Sequence, residues 1–66
     1  MQIVINGKPT DFEQSISVQD LLHRLGYLDH FIAVAVNQEC VLRRNYGTHF
    51  VKAQDQIEIL APMAGG

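Results

Sequence analysis

A two-layer α+β domain, one helix packed on a mixed sheet, is the fold class predicted by this 66-residue sequence. Three observations carry the expectation. Short alternating apolar runs stand near the two ends of the chain, "QIVIN" and "QIEIL". One amphipathic stretch, "ISVQDLLHRLG", stands between them. The length allows a single domain at most. A chain this short buries only about 60% of the surface its unfolded form exposes. That leaves little volume for an enclosed substrate pocket, which argues against an independent enzyme.

Each element follows from local chemistry. In "QIVIN", Met1, Ile3 and Ile5 share one face of a strand. "NGKP" follows, and Asn-Gly signals a hairpin because both residues tolerate positive φ. Pro9 cannot donate to a ladder, so it belongs at the turn or at the beginning of the second strand. "TDFEQ" is that strand; only Phe12 in it is strongly apolar, which places it at an edge. Ser17 can cap a helix, with Asp20 at the position of a capping-box acid. Ile16 and Leu21 have the spacing of a hydrophobic staple. Val18, Leu21, Leu22 and Leu25 form one stripe, and Gly26 suits the left-handed residue that ends a helix.

"FIAVAVN" is a continuous apolar run, as expected of a central strand covered on both sides or nearly so, with Ala33 and Ala35 making room for the helix on one face. "NQE" is a turn and "CVL" a short strand. "RRNYGTHFVKAQDQ" has weak periodicity and is expected to be a short helical turn and loop. "IEIL" is the last strand, with Ile57 and Ile59 on one face. The order is two strands, a helix, two strands, a turn and a strand. One helix must then cover one face of a four- or five-stranded mixed sheet, because nothing else can bury its leucines. This is the layout of the β-grasp, or ubiquitin-like, fold, in which the first and last strands commonly lie side by side. Residues 1–60 are expected to form this domain and 61–66 a flexible C-terminal tail.

Composition narrows the function. Five basic residues against seven acidic ones give a net charge of −2. Arg43 and Arg44 are the only adjacent basic pair, so a nucleic-acid partner, which needs several cations facing phosphates, is not expected. The longest strongly apolar stretch, "FIAVAV", is far below the ~20 residues of a spanning helix. "MQIVINGK" lacks the charged and apolar regions of a signal peptide. Cys40 is the only cysteine and cannot form an internal disulfide. Together these point to the cytosol, with no membrane role.

The chemistry is concentrated in "APMAGG". Pro62 has its φ fixed and no N–H, so it ends ladder pairing and extends the chain. Gly65 and Gly66 lack side chains, so the walls of a partner can approach the backbone closely. Six extended residues reach roughly 20 Å. Pro62, Met63, Ala64 and Gly65 thus form an arm that can thread a narrow channel and present the Gly66 carboxylate to another protein's active site. A carboxylate is a poor acyl electrophile; adenylation with ATP gives it a good leaving group. Sulfur can then replace AMP and leave a thiocarboxylate, or an amine or cysteine thiol can attack instead. None of these routes needs a nucleophile or base in the carrier. Two terminal glycines arise by chance in roughly 0.5% of chains, so the pair gains its force from its setting after a final strand.

The stretch from Val34 to Gly66 resembles the second half of the ThiS family, the sulfur carrier proteins of thiamine biosynthesis. The matching points are "AVN" at Ala35 to Asn37, Arg43, Tyr46, "DQIEIL" at Asp55 to Leu60, and Gly65-Gly66. "MQIVING" and "SVQDLL" are similar to the family's start and helix. The resemblance implies that an E1-like adenylating enzyme activates Gly66. It implies too that a sulfurtransferase or cysteine desulfurase relay delivers sulfur, and that thiazole synthase takes it for the thiazole ring. ATP, magnesium and zinc then belong to the partner enzyme, and the carrier binds no cofactor. Leu42 stands where many relatives have Pro, and Gln54 where many have Gly. The cost of a non-Gly residue at positive φ predicts a different turn geometry at Gln54. The alternatives are the small subunit of molybdopterin synthase, a ubiquitin-like protein modifier joined to lysines, and a plain binding module with idle glycines.

The remaining polar residues have simpler explanations. A lone Cys in a strand, such as Cys40, is expected to be a small buried hydrophobe. His23, His30 and His49 lack metal-ligand spacing, so no metal site is expected. His23 falls on the polar side of the helix. Asp11, Glu13 and Asp20 are expected to be surface charges. Val4 and Leu60 alternate with the buried isoleucines and are candidates for a face that meets partners.

Overall fold

The computed structural model describes residues 1–27 and 32–60. It opens with a hairpin, β1 (Gln2–Ile5) and β2 (Lys8–Asp11), with Val4 opposite Pro9 and Ile5 opposite Lys8. Asn6 and Gly7 join them with φ of 49° and 81°, the left-handed pair that a type I′ turn requires. The second strand begins two residues earlier than "TDFEQ" suggests and ends at Asp11. The two-residue loop is the cause, since it fixes the register from Lys8 onward. Pro9 is tolerated because β2 lies at the sheet edge, as expected.

A two-residue strand, β3 (Ile16–Ser17), leads into helix α1 (Val18–Arg24). The Ser17 hydroxyl accepts the Asp20 N–H at 3.1 Å and caps the helix as expected. Gly26 has a φ of 85°. Its N–H reaches the His23 carbonyl, while the Tyr27 N–H reaches the Leu22 carbonyl at 2.9 Å. These two bonds are the Schellman pattern that closes a helix. Val18, Leu21 and Leu22 are buried. Leu25 has the right spacing for the stripe, but the helix stops one residue before it and its side chain is left 39% exposed.

Four further strands complete the chain: β4 (Ala33–Val36), β5 (Glu39–Val41), β6 (Phe50–Val51) and β7 (Gln56–Leu60). A short 3-10 helix, Arg43–Asn45, lies between β5 and β6. The main sheet has the order β2-β1-β7-β4-β5. β1 and β7 run parallel, with Ile5 beside Ile57; the other pairings are antiparallel. First and last strands are therefore neighbours, as the sequence predicts. The core is built from Ile3, Val34, Val36, Ile57 and Ile59 of the sheet and the three buried residues of α1.

β7 is the middle strand and β4 an inner strand beside it. Two details differ from the sequence reading. Val34 and Val36 face the core, whereas Ala33 is exposed and Ala35 half-buried on the other side. The apolar run of β4 thus reflects one buried face and one face of small residues, not two covered faces. Finally, β3 and β6 form a separate two-stranded sheet, with Ile16 opposite Val51, inside what looks like loop.

Gln54 also departs from expectation: its φ is 70°. The Asp55 N–H closes a turn onto the Lys52 carbonyl at 3.1 Å, and Gln54 occupies the position where such turns favour glycine. The site is held from several directions. The Gln54 N–H donates to the Gln2 carbonyl at 2.6 Å. The Asp55 carboxylate accepts the Lys52 N–H and the Asn37 amide, at 2.8 and 3.0 Å. Gln54→Gly should therefore raise unfolding stability by about 0.5 kcal/mol, the relief of strain outweighing the greater freedom of glycine in the unfolded chain. Urea denaturation of the two proteins checks the sign.

Candidate functional site: where the chain leaves the sheet

Gly66, and the arm formed by Pro62, Met63, Ala64 and Gly65, lie outside the described residues, as does the proposed boundary at residue 60/61. The structure describes the platform up to Leu60. β7 is flanked by β1 on one side, beside Gln56 and Ile57, and by β4 on the other, beside Ile57 to Leu60. Leu60, the last residue of β7, sits opposite Ala33.

Two asparagines extend the pairing of β7 beyond its neighbours. Asn37 lies in the type I′ turn between β4 and β5, at φ of 51°, with Gln38 at 71°. Its side-chain oxygen accepts the Gln56 N–H at 2.9 Å, and its own N–H donates to the Gln56 carbonyl at 2.8 Å. Asn6 acts at the other end. Its backbone N–H donates to Ile57 at 2.9 Å, the last regular bond between β1 and β7. There the hairpin turns away, and the Asn6 carboxamide continues in place of backbone. Its oxygen accepts the Ile59 N–H at 2.8 Å, and its nitrogen donates to the Ile59 carbonyl at 3.3 Å.

The sheet face turned away from α1 carries exposed apolar residues beside this exit. Leu60 is 66% exposed and Leu42, one residue beyond β5, is 54% exposed. Ala35 of β4 and Val4 of β1, on either side of β7, are half-buried on the same face. Glu58 is exposed opposite Ala35, and Arg43 and Arg44 are exposed immediately after Leu42. Cys40 lies on this same face, opposite Ala35, and is exposed rather than buried. The cause is its register: the neighbouring Val41 takes the inward position opposite Val34. The sequence reading selected Val4 and Leu60 for this face, and β7 and β1 place them there. It missed Leu42, whose outward alternation is visible only once the β4–β5 register is known.

Elsewhere, a shallow cleft of about 360 Å³ separates Phe12, Glu13 and Phe50 from His23 and Arg24 of the helix. The Arg24 guanidinium lies 5.9 Å from the centre of the Phe12 ring. Phe12 is paired through its N–H with the Met1 carbonyl, at the opposite end of β1 from Asn6. The cleft is thus not continuous with the exit of the chain from β7.

One helix on a mixed sheet, with the last strand in the middle and running toward the C-terminus, defines the ubiquitin-like β-grasp class of carrier and modifier domains. Within that class the chain belongs to the ThiS family, whose model matches residues 3–66. It is 33% identical over its full length to the sulfur carrier protein ThiS of Escherichia coli, and covers all of that protein. It superposes on the crystal structure of a thiamine biosynthesis protein (ThiS) from Geobacter metallireducens with a TM-score of 0.86 and 32% identity, each chain covered completely. It is also 38% identical to a thiazole synthase of Paramagnetospirillum magneticum, of which it spans only 20% of the length. In that protein a segment like this chain is part of a longer polypeptide.

Proposed function

We propose that this chain is a sulfur carrier protein of thiamine biosynthesis, and that the Gly66 carboxylate is its working group. The carrying observation is the course of β7: the middle strand of the sheet, held between β1 and β4, delivers the chain at Leu60 with residues 61–66 still to come. Pro62, Met63, Ala64 and Gly65 form the arm that enters a partner's channel. An E1-like enzyme adenylates Gly66, so the carboxylate oxygen attacks the α-phosphorus of ATP and pyrophosphate leaves. Sulfur from a cysteine desulfurase or sulfurtransferase relay then displaces AMP and gives the thiocarboxylate. Thiazole synthase accepts the sulfur; the likeness of this chain to a segment of such an enzyme supports that pairing.

The carrier contributes no catalytic residue in this scheme and holds no cofactor; ATP, magnesium and zinc are the adenylating enzyme's. The exposed apolar face around Leu42 and Leu60, edged by Arg43 and Arg44, is the surface against which these enzymes rest while the arm is inserted. Among the described residues no helix is long and apolar enough to cross a membrane, and we place the carrier in the cytosol with its enzymes.

The decisive experiment is genetic. A strain lacking this protein should require thiazole or thiamine and regrow when either is supplied. A strain that needs a molybdenum cofactor instead, or shows no requirement, rejects the assignment. Appearance of isopeptide-linked adducts in lysate in place of a thiocarboxylate would favour a modifier.

A further inference from the structure

We infer that Asn6 is a positioning residue for the carrier reaction: its carboxamide clamps Ile59 and so fixes where, and in which direction, the chain leaves the sheet toward Gly66. The inference rests on the sulfur-carrier function proposed above.

The geometry separates Asn6 from an ordinary turn residue. A type I′ turn asks only that its first residue adopt positive φ, which Gly or Asp also does. The Asn6 side chain does something further. β1 is too short to accompany β7 to its end, since the last register pair is Ile5 with Ile57. Without the carboxamide, the N–H and carbonyl of Ile59, which point to the β1 edge and away from β4, would have no partner within the sheet. With it, both the N–H and the carbonyl of Ile59 are engaged on that edge, at 2.8 and 3.3 Å. The contact spans 53 positions in sequence and ends one residue before Leu60. An arm rooted in a fixed strand samples fewer directions than one that begins fraying two residues earlier. Less orientational freedom is then lost when a partner captures the arm. The benefit lies in capture, not in the chemical step after it.

Asn37 supplies the internal control. It too sits in a type I′ turn and too bonds β7 through its side chain, but at Gln56, the end remote from Gly66. Both asparagines can be replaced by glycine without forcing the turn, so both variants should fold.

The test measures ATP–pyrophosphate exchange by the adenylating enzyme of the same organism, with the full-length carrier as varied substrate. Asn6→Gly should raise KM for the carrier about 3- to 10-fold with kcat unchanged, the scale set by losing one or two modest hydrogen bonds. Asn37→Gly should leave KM as it is. Amide hydrogen exchange of the free proteins should show Ile59 exchanging about tenfold faster in Asn6→Gly, with Val34 unaffected. Unchanged exchange at Ile59, unchanged KM, a loss confined to kcat, or equal KM shifts in the two variants overturns the assignment to Asn6. If the unaltered carrier supports no exchange of pyrophosphate at all, the sulfur-carrier function fails first and this inference falls with it.

Discussion

Deleting Gly66 should abolish oxygen-for-sulfur exchange at the C-terminus while leaving the fold intact, the largest functional effect expected of any single change. The function proposed above requires the reacting atom to lie at the end of an arm of fixed reach. Removing one residue withdraws the carboxylate by about 3.5 Å, and displacements of even 1 Å from a productive geometry cost on the order of 100-fold in rate. Gly65→Val keeps the length but places a branched side chain next to the reacting group, and the loss should again be at least about 100-fold. Both changes leave every residue of the core cluster unaltered, so urea midpoints should move by no more than the equivalent of about 0.5 kcal/mol. Intact mass after incubation with the adenylating enzyme, ATP and a sulfur source reads the first effect; circular dichroism in urea reads the second. Normal thiocarboxylate formation by the deletion variant would show that the working group lies elsewhere.

The largest effect on stability is expected from Ile57→Ala. Ile57 is only 1% exposed, the second residue of the middle strand, with Ile5 and Val36 as its cross-strand neighbours. Truncating a buried isoleucine to alanine removes its transfer energy and leaves a cavity, about 2–5 kcal/mol together. A single core in a chain of this size supplies only about 3–5 kcal/mol in all. The variant should therefore be substantially unfolded at 25 °C, with loss of cooperative thermal unfolding. Leu60→Ala, three residues along the same strand, is the contrast. Its side chain is 66% exposed, and its stability should stay within about 0.5 kcal/mol of the parent. Equal behaviour of the two variants would contradict the packing described for β7.

Much of the architecture was legible because the signals were local. Asn6-Gly7 carries its turn type in its residue identities. Ser17, the leucine spacing and Gly26 define both ends of α1 within eleven residues. Alternation in "QIVIN" and "QIEIL" names the buried isoleucines without reference to anything distant. The errors share an opposite origin. β3 and β6 are two residues each, too short for any period, and exist only because Ile16 and Val51 meet across the fold. Cys40 and Ala33 are outward-facing because of the pairing register with neighbouring strands, which a continuous apolar run does not reveal. Gln54 adopts a left-handed turn against its own preference because Gln2, Lys52, Asp55 and Asn37 hold it there.

The sequence by itself determined the class of fold, the helix with its caps, and the two strands that became neighbours. Those follow from steric preference and hydrophobic periodicity, which act between residues close along the chain. Tertiary structure alone decided that Ile16 and Val51 pair across the fold, that Leu42 joins Leu60 on an open face, and that Asn6 holds Ile59. Each depends on partners far apart in sequence, and hydrogen bonds of that kind exist only after the sheet has brought its edges together.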